Sequence, residues 1–468
     1  MIEYKTNEFT WFLEDEGSIP VIKDIAHPEG KRRSYGVCEH SGKKLFIKTF
    51  SEKGISGRVR SLISPRGKKE FIIASKLKRS KVPAPIPVGY GVGARTSAIA
   101  EYFINGKTFL EIFENSPDRD SLLRQLADFL RLLTNAHVRH DDLHLDNILV
   151  SGDIFYLVDL HKAKVRRSFS EDDELANLTH ALGMIYYDLS PGERDTFFAR
   201  YQPRPAMKKD LEKAIRSLRE KWVLNKMARA FRDTSIVHRE GTKLSIRGRE
   251  ECGRGGFVEI IKNDRKIKVE RYGDHIRKTY IPQHRLKTAW KNHVVLEYMQ
   301  KMITPVVYNA EIPKTGHGYI AMEDLRGRGE ELDRHLDRNY DAMDIPERRE
   351  FINGLADFFL GVMAWAITHR DLKACNIFVL GRGGFLFLDV EDIQFTSATP
   401  DTLKKAFCQL NNTVPKRISA QDRMRFYLRL VSLVDCDKKR LFKDIITESL
   451  KDNIVYEGIS GLVVDSWK

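Results

Sequence analysis

The feature that most constrains this chain is that it carries nearly the same pattern twice, about 229 to 230 residues apart. Leu126-Ala-Asp-Phe-Leu130, His140-Asp-Asp-Leu-His-Leu-Asp-Asn-Ile-Leu-Val150 and Tyr156-Leu-Val-Asp-Leu160 in the first half answer to Leu355-Ala-Asp-Phe-Phe359, His369-Arg-Asp-Leu-Lys-Ala-Cys-Asn-Ile-Phe-Val379 and Phe387-Leu-Asp-Val390 in the second. Leu45 to Phe50 matches His275 to Tyr280, and Ser190 to Phe197 matches Ser419 to Phe426. The period is the size of a domain, not of a solenoid repeat. It predicts two similar domains, residues 1–235 and 236–468, with the boundary after the basic helical stretch Lys208 to Arg232 and before the Gly-rich run Gly241 to Gly256.

Each half opens with strand-like sequence punctuated by Gly-containing turns (Ser41-Gly42, Gly273-Asp274), which reads as hairpins. Asp120 to His137 and Pro346 to Ile367 then place apolar residues at three- and four-residue spacing, which predicts packed helices. A sheet part followed by a larger helical part is an α+β arrangement. Hydrophobic residues at 42% and charged residues at 31% suit a globular chain with a sizeable core.

The balance of 79 basic against 65 acidic residues gives +14, a field that favours an anionic partner. From Lys31 to Lys81 the chain holds 16 Lys and Arg against Glu39, Glu52 and Glu70. Five scattered cysteines with no Cys-x-x-Cys pair argue for a reducing compartment and against a zinc or disulfide framework. Met1 to Gly17 is acidic and does not read as a secretory signal, and the most apolar window, Phe351 to Thr368, is broken by Asn353 and Asp357. Any membrane contact is expected to be peripheral.

Both halves keep a strand Lys (Lys48, Lys278), a His-x-Asp (His140 to Asp142, His369 to Asp371), an Asn five residues on (Asn147, Asn376) and a further Asp after an apolar strand (Asp159, Asp389). This set resembles the protein-kinase-like fold, whose catalytic loop reads His-Arg-Asp-Leu-x-x-x-Asn; His369-Arg-Asp-Leu-Lys-Ala-Cys-Asn376 fits that pattern throughout. Phosphoryl transfer needs such residue types: a Lys against the phosphates, an Asp and an Asn to hold Mg²⁺, and a separate Asp to take the proton of the attacking hydroxyl. The resemblance assigns Asp142 and Asp371 as bases, Lys48 and Lys278 to the phosphates of ATP, and Asn147, Asp159, Asn376 and Asp389 to Mg²⁺. Glu70, in a helix after the Lys strand, is the expected partner of Lys48. For Lys278 the candidate is Glu297, although matching Trp290 to Phe71 sets Ala289 at the position of Glu70.

His140 and His369 are read as braces of the loop, and Lys373 in place of His144 removes a zinc cluster of His140, Asp142 and His144 from consideration. Neither half has a full Gly-x-Gly-x-x-Gly loop. Gly253-Arg-Gly-Gly-Phe-Val258 is the nearest approach, and the first half offers Gly30 and Gly36.

The His-x-Asp-Leu-His-x-x-Asn loop, the Tyr-Leu-Val-Asp-Leu strand and the stretch from Arg66-Gly-Lys-Lys-Glu70 to Val82-Pro-Ala-Pro-Ile-Pro87 are similar to the bacterial lipopolysaccharide kinases of the Kdo/WaaP type. The resemblance spans both halves, as a tandem pair of kinase-like domains, each with a small β-rich lobe and a larger helical lobe. It implies ATP and Mg²⁺ as cofactors and, as acceptor, a heptose or Kdo hydroxyl of an anionic glycolipid. It further implies a cytoplasmic location, at the cytoplasmic face of the inner membrane, with peripheral contact to that anionic surface and no nucleic-acid partner. Two alternatives stay open: a bacterial Ser/Thr protein kinase, and a protein in which one or both domains are pseudokinases serving as regulatory or binding modules.

Overall fold

The computed structural model describes residues 1–28, 31, 33–40, 42–51, 64–249, 255–381, 383–434 and 436–467. Gly30, Gly253, Ser41 and the part of the basic run holding Lys53, Arg58 and Arg60 lie outside them. The chain divides into two compact units, Met1–Leu218 and Arg219–Lys468.

The first unit begins with a six-stranded antiparallel sheet built from β1 (Ile2–Lys5), β2 (Thr10–Leu13), β3 (Arg33–His40), β4 (Lys43–Ser51), β5 (Pro87–Val92) and β6 (Thr96–Tyr102), in the order β1-β2-β5-β6-β4-β3. Gly42, at φ 76°, makes the β3–β4 turn that the sequence predicts. Strand alternation then divides β4: Leu45 and Ile47 enter one apolar cluster with Trp11, Val88, Ala98 and Ala100, while Phe46 and Lys48 take the opposite face. A short helix α1 (Ile19–Ile22) precedes β3, and α2 (Arg66–Arg79) packs on β5 and β6. Gly67 in the first turn of α2 allows this approach, since a Cβ there would lie 2.0 Å from the carbonyl oxygen of Ala98. One turn on, the same helix face carries Glu70.

The helical part of the unit contains α3 (Phe109–Asn115), α4 (Arg119–Asn135), α5 (Glu171–Gly183), α6 (Pro191–Tyr201) and α7 (Pro205–Arg229). In α4 the side chains of Leu123, Leu126, Ala127, Leu130 and Leu133 are buried, as its apolar spacing predicts. Ser190 caps α6 reciprocally with Glu193. Two small sheets accompany these helices: β7 (Lys107–Thr108), just before α3, pairs with the hairpin of β9 (Ile148–Ser151) and β10 (Ile154–Leu157), and β8 (Val138–His140) pairs with β11 (Ala163–Val165).

The division at residue 218 lies ahead of the expected boundary at 235. It falls inside α7 because the last turns of that helix are apolar toward the second unit's core: Val223 joins Val295, Leu296 and Ile303 there, and Trp290 Nε1 donates to the Ala230 carbonyl at 2.7 Å.

The second unit has β12 (Val237–Glu240), β13 (Lys243–Ile246), β14 (Phe257–Asn263), β15 (Ile267–Tyr272), β16 (Ile276–Tyr280), β17 (Val307–Glu311) and β18 (Gly318–Met322) in the order β12-β13-β17-β18-β16-β15-β14. Strand for strand this is the order of the first unit's sheet with β14 added at one edge. Helix α8 (Gln283–Met299) follows the Lys278 strand as α2 follows the Lys48 strand. Then come β19 (Gly329–Glu331), α9 (Leu332–Asn339), α10 (Ile345–Ala364), β20 (Thr368–His369), β21 (Ile377–Leu380), β22 (Phe385–Phe387), β23 (Ile393–Gln394), α11 (Pro400–Asn411), α12 (Ala420–Leu430) and α13 (Lys438–Ser449). A closing hairpin of β24 (Ile454–Gly458) and β25 (Gly461–Asp465) ends the unit. Each unit is thus mixed α and β. Among the described residues no helix is long and apolar enough to cross a membrane.

The Asp of each Leu-Ala-Asp-Phe helix lies at the surface. Asp128 pairs with Arg200 of α6 and Asp357 with Arg429 of α12.

Candidate functional site

In the first unit, β4 and α2 bring Lys48 and Glu70 together in the interior, with Nζ 3.1 Å from Glu70 Oε2. Asp159 Oδ1 lies 3.7 Å from the same ammonium. Burial acts against the Lys48 charge, but Glu70, Glu101 and Asp159 outweigh it and raise its pKa well above the ordinary value. The Lys therefore stays charged.

Asp159 follows β10 at φ 55°, a left-handed backbone that a non-glycine residue adopts at a cost. Its carboxylate is fixed by His161 Nδ1 at 2.9 Å and faces Arg33 Nη1 at 3.9 Å. Burial alone would raise its pKa; His161, Lys48 and Arg33 hold it far below the usual carboxylate range.

The loop after β8 places Asp142 and Asn147 next to one another. Asn147 Nδ2 donates to the Asp142 carbonyl at 2.8 Å and meets His144 Nε2 at 3.2 Å, which leaves its Oδ1 to face a ligand. His140 braces the loop as expected: the Asp142 amide donates to its Nδ1, and its Nε2 bonds the Asp159 carbonyl, both at 3.2 Å. Burial pushes the His140 pKa down to about 4, so the ring is neutral. Lys162, from the 3₁₀ turn Leu160–Lys162, donates to Asp142 Oδ2. Against the opposing effect of burial, this contact holds the Asp142 pKa below its ordinary value.

A cavity of about 290 Å³ opens beside these groups. Phe46 and Pro85 line it from the sheet part, Leu149 and Val158 from the helical part, and Lys48, Asn147, Asp159 and Glu101 contribute its polar atoms. Glu101 is 2% exposed and its Oε1 has no hydrogen-bond partner among the described residues. Its burial, opposed by Lys48 and reinforced by Glu70 and Asp159, raises its carboxyl pKa to about 7. An Asp carboxylate and an amide oxygen are the hard donors that Mg²⁺ takes, so Asp159 and Asn147 fit that ion. Glu70, Asp159 and His161 also each place one ligand atom within 4.8 Å of the others, but Lys48 already neutralises that group.

The second unit repeats the loop closely. Asn376 Nδ2 donates to the Asp371 carbonyl at 2.8 Å and His369 Nε2 bonds the Asp389 carbonyl at 2.9 Å. The backbone bonds of Val158 to Asn147 and of Leu388 to Asn376 are both 3.0 Å.

The surrounding charges differ. Glu297 does not reach Lys278; it forms a two-pronged pair with Arg249, because its place on α8 turns it away from β16. Ala289 stands fully buried where Glu70 stood. Lys278 instead contacts Asp389 Oδ1 at 2.7 Å and Glu391 Oε2 at 3.1 Å, the latter from the 3₁₀ turn Val390–Asp392. Tyr280 and Arg285 hold Glu391 in turn. Lys373 pairs with Asp371 Oδ2 at 3.2 Å and Gln409 Nε2 donates to Asp371 Oδ1 at 3.1 Å.

The sequence reading thus missed Glu101, Lys162, His161, Glu391 and Gln409. Laying the two halves in register and looking for charges exchanged between positions would have found Lys162 and Glu391.

Residues 25–201 match the model of the lipopolysaccharide kinase (Kdo/WaaP) family. The match contains every site residue named in the first unit. A 3-deoxy-D-manno-octulosonic acid kinase of Vibrio cholerae serotype O1 (strain ATCC 39315 / El Tor Inaba N16961) is 26% identical over 107 residues, 22% of this chain and 46% of that protein. The chain therefore spans about half the length of this curated relative. Among solved structures, WaaP in complex with acyl carrier protein aligns with a TM-score of 0.34 at 20% identity, covering 44% of this chain and 98% of that one. WbdD bound to the kinase inhibitor LY294002 aligns with a TM-score of 0.29 at 16% identity, over 41% and 45% of the two chains.

Proposed function

We propose that the chain is an ATP- and Mg²⁺-dependent phosphotransferase of two tandem kinase-like domains, whose acceptor is a Kdo or heptose hydroxyl of the lipopolysaccharide inner core. The observation that carries this reading is the first unit's cluster: a buried Lys48–Glu70 pair, Asp159 in a left-handed backbone, and Asn147 bonded to the Asp142 carbonyl, gathered around one cavity. The family match over residues 25–201 supports the choice of acceptor.

Bound Mg²⁺ would neutralise phosphate charge, held by Asp159 and the free oxygen of Asn147. Lys48, kept charged by Glu70, faces the phosphates. The acceptor oxygen attacks the γ-phosphorus, its proton passes to the Asp142 carboxylate, and the bond to the bridging oxygen breaks to release ADP. Lys162 holds one oxygen of Asp142 in place and keeps the group ionised to receive that proton. The basic run that includes Arg66, Lys68 and Lys69 suits an anionic glycolipid at the cytoplasmic face of the inner membrane, where each such charge near the surface contributes about 1 kcal/mol.

The test is to incubate the purified chain with ATP, Mg²⁺ and extracted inner-core lipopolysaccharide and to locate the transferred phosphate. Phosphate on a core sugar supports the reading. Phosphate on a Ser or Thr of a protein, with the glycan untouched, favours the protein-kinase alternative to which the full His369-Arg-Asp-Leu-Lys-Ala-Cys-Asn376 loop points.

A further inference from the structure

We infer that the second unit holds a second nucleoside-triphosphate site, complete in its charges although two of them come from exchanged positions. This rests on the phosphotransferase reading of the first unit. In that unit the carboxylate that neutralises the buried Lys comes from helix α2 as Glu70, and the residue two after the metal-side Asp159 is His161. In the second unit the helix position is Ala289, and the residue two after Asp389 is Glu391, whose side chain lies against Lys278. The carboxylate has moved from helix to turn, and the buried Lys keeps its partner.

The same exchange recurs at the base. Asp142 receives its ammonium from Lys162 in the 3₁₀ turn, while His144 occupies the loop position. Asp371 receives its ammonium from Lys373 at that loop position, while Asp392 occupies the turn. The exchanged positions are true equivalents, because the Asp141 amide bonds the Lys162 carbonyl as the Arg370 amide bonds the Asp392 carbonyl. Two compensated exchanges thus keep a cation on the loop Asp and a carboxylate on the strand Lys.

Glu391 is built in rather than incidental: it is 4% exposed and held by the Tyr280 hydroxyl at 3.1 Å and by Arg285 at 3.2 Å. With Glu391 as its fixed counter-ion, Lys278 can release Asp389 to a metal and turn toward phosphate without becoming an unpaired buried charge.

The experiment is equilibrium binding of Mg²⁺·ATP to the full chain, counting nucleotides per chain. Two are expected for the wild type, one for Lys278→Ala and one for Lys48→Ala. Glu391→Gln should weaken the second site at least tenfold and leave the first unchanged, with Glu391→Asp intermediate; thermal melting checks that each variant is folded. One nucleotide per chain, lost in Lys48→Ala and unaffected by Lys278→Ala, overturns the second site and leaves the first standing. Two nucleotides with unchanged affinity in folded Glu391→Gln overturns the role given to Glu391. No nucleotide bound by the wild type overturns the phosphotransferase reading and this inference together.

Discussion

At the scale of single residues, the site is a problem of charges kept inside a protein. Lys48 is buried and stays charged only because Glu70 and Asp159 stand within 4 Å. Removing Glu70 breaks the buried pair and leaves Lys48 with Asp159 as its partner within 4 Å, so Glu70→Ala should destabilise the chain in denaturant unfolding, by at most about 3–5 kcal/mol. Glu101 has the opposite sign. Its folded pKa of about 7 lies above its ordinary 4.5, so the folded state holds a proton that the unfolded chain releases. Stability from this group is fully present below pH 4.5 and is lost as pH rises through 7. Glu101→Gln removes that dependence, and its melting temperature relative to wild type should rise between pH 5 and pH 8; a constant difference would contradict the raised pKa. Lys48, Glu70, Asp142, Asn147 and Asp159 were all legible as residue types at set spacings, because the loop that joins most of them is local. Lys162 and Glu391 were not, because each reaches its partner through a turn that folds back across some twenty residues or more, and no local spacing records that contact.

At the scale of elements, one helix decides whether the Lys and its Glu meet. α2 rests on β6 at Gly67, where the backbone of Ala98 leaves no room for a Cβ. Gly67→Ala should lift the first turn, cost roughly 1–3 kcal/mol by overpacking and loosen the Lys48–Glu70 pair with it. Activity should then fall with stability, as seen by melting and turnover measured together. The hairpins and the α4 and α10 helices followed from Gly turns and apolar spacing, and the structure has them within a residue or three of the expected ends. The helix partner of Lys278 did not follow. Glu297 sits at an acceptable distance along the chain, but the helical period directs it toward Arg249. A spacing along the sequence fixes separation and leaves direction around the helix to the packing.

At the scale of the whole molecule, the repeat visible in the sequence reappears as two sheets of the same strand order and two loops with the same backbone bonds. The boundary was less legible, since α7 is one continuous helix whose two ends serve different cores. The account's central claim is that the first unit's cluster transfers phosphate with Asp142 as the base. The measurement that tests it most directly is the rate of phosphate transfer from ATP to inner-core lipopolysaccharide by wild type and by Asp142→Asn, with nucleotide affinity measured alongside. Transfer to the core sugar should fall about 10²–10⁴-fold in Asp142→Asn while ATP still binds. Transfer at the wild-type rate by Asp142→Asn, or none to the glycan by the wild type, would contradict it.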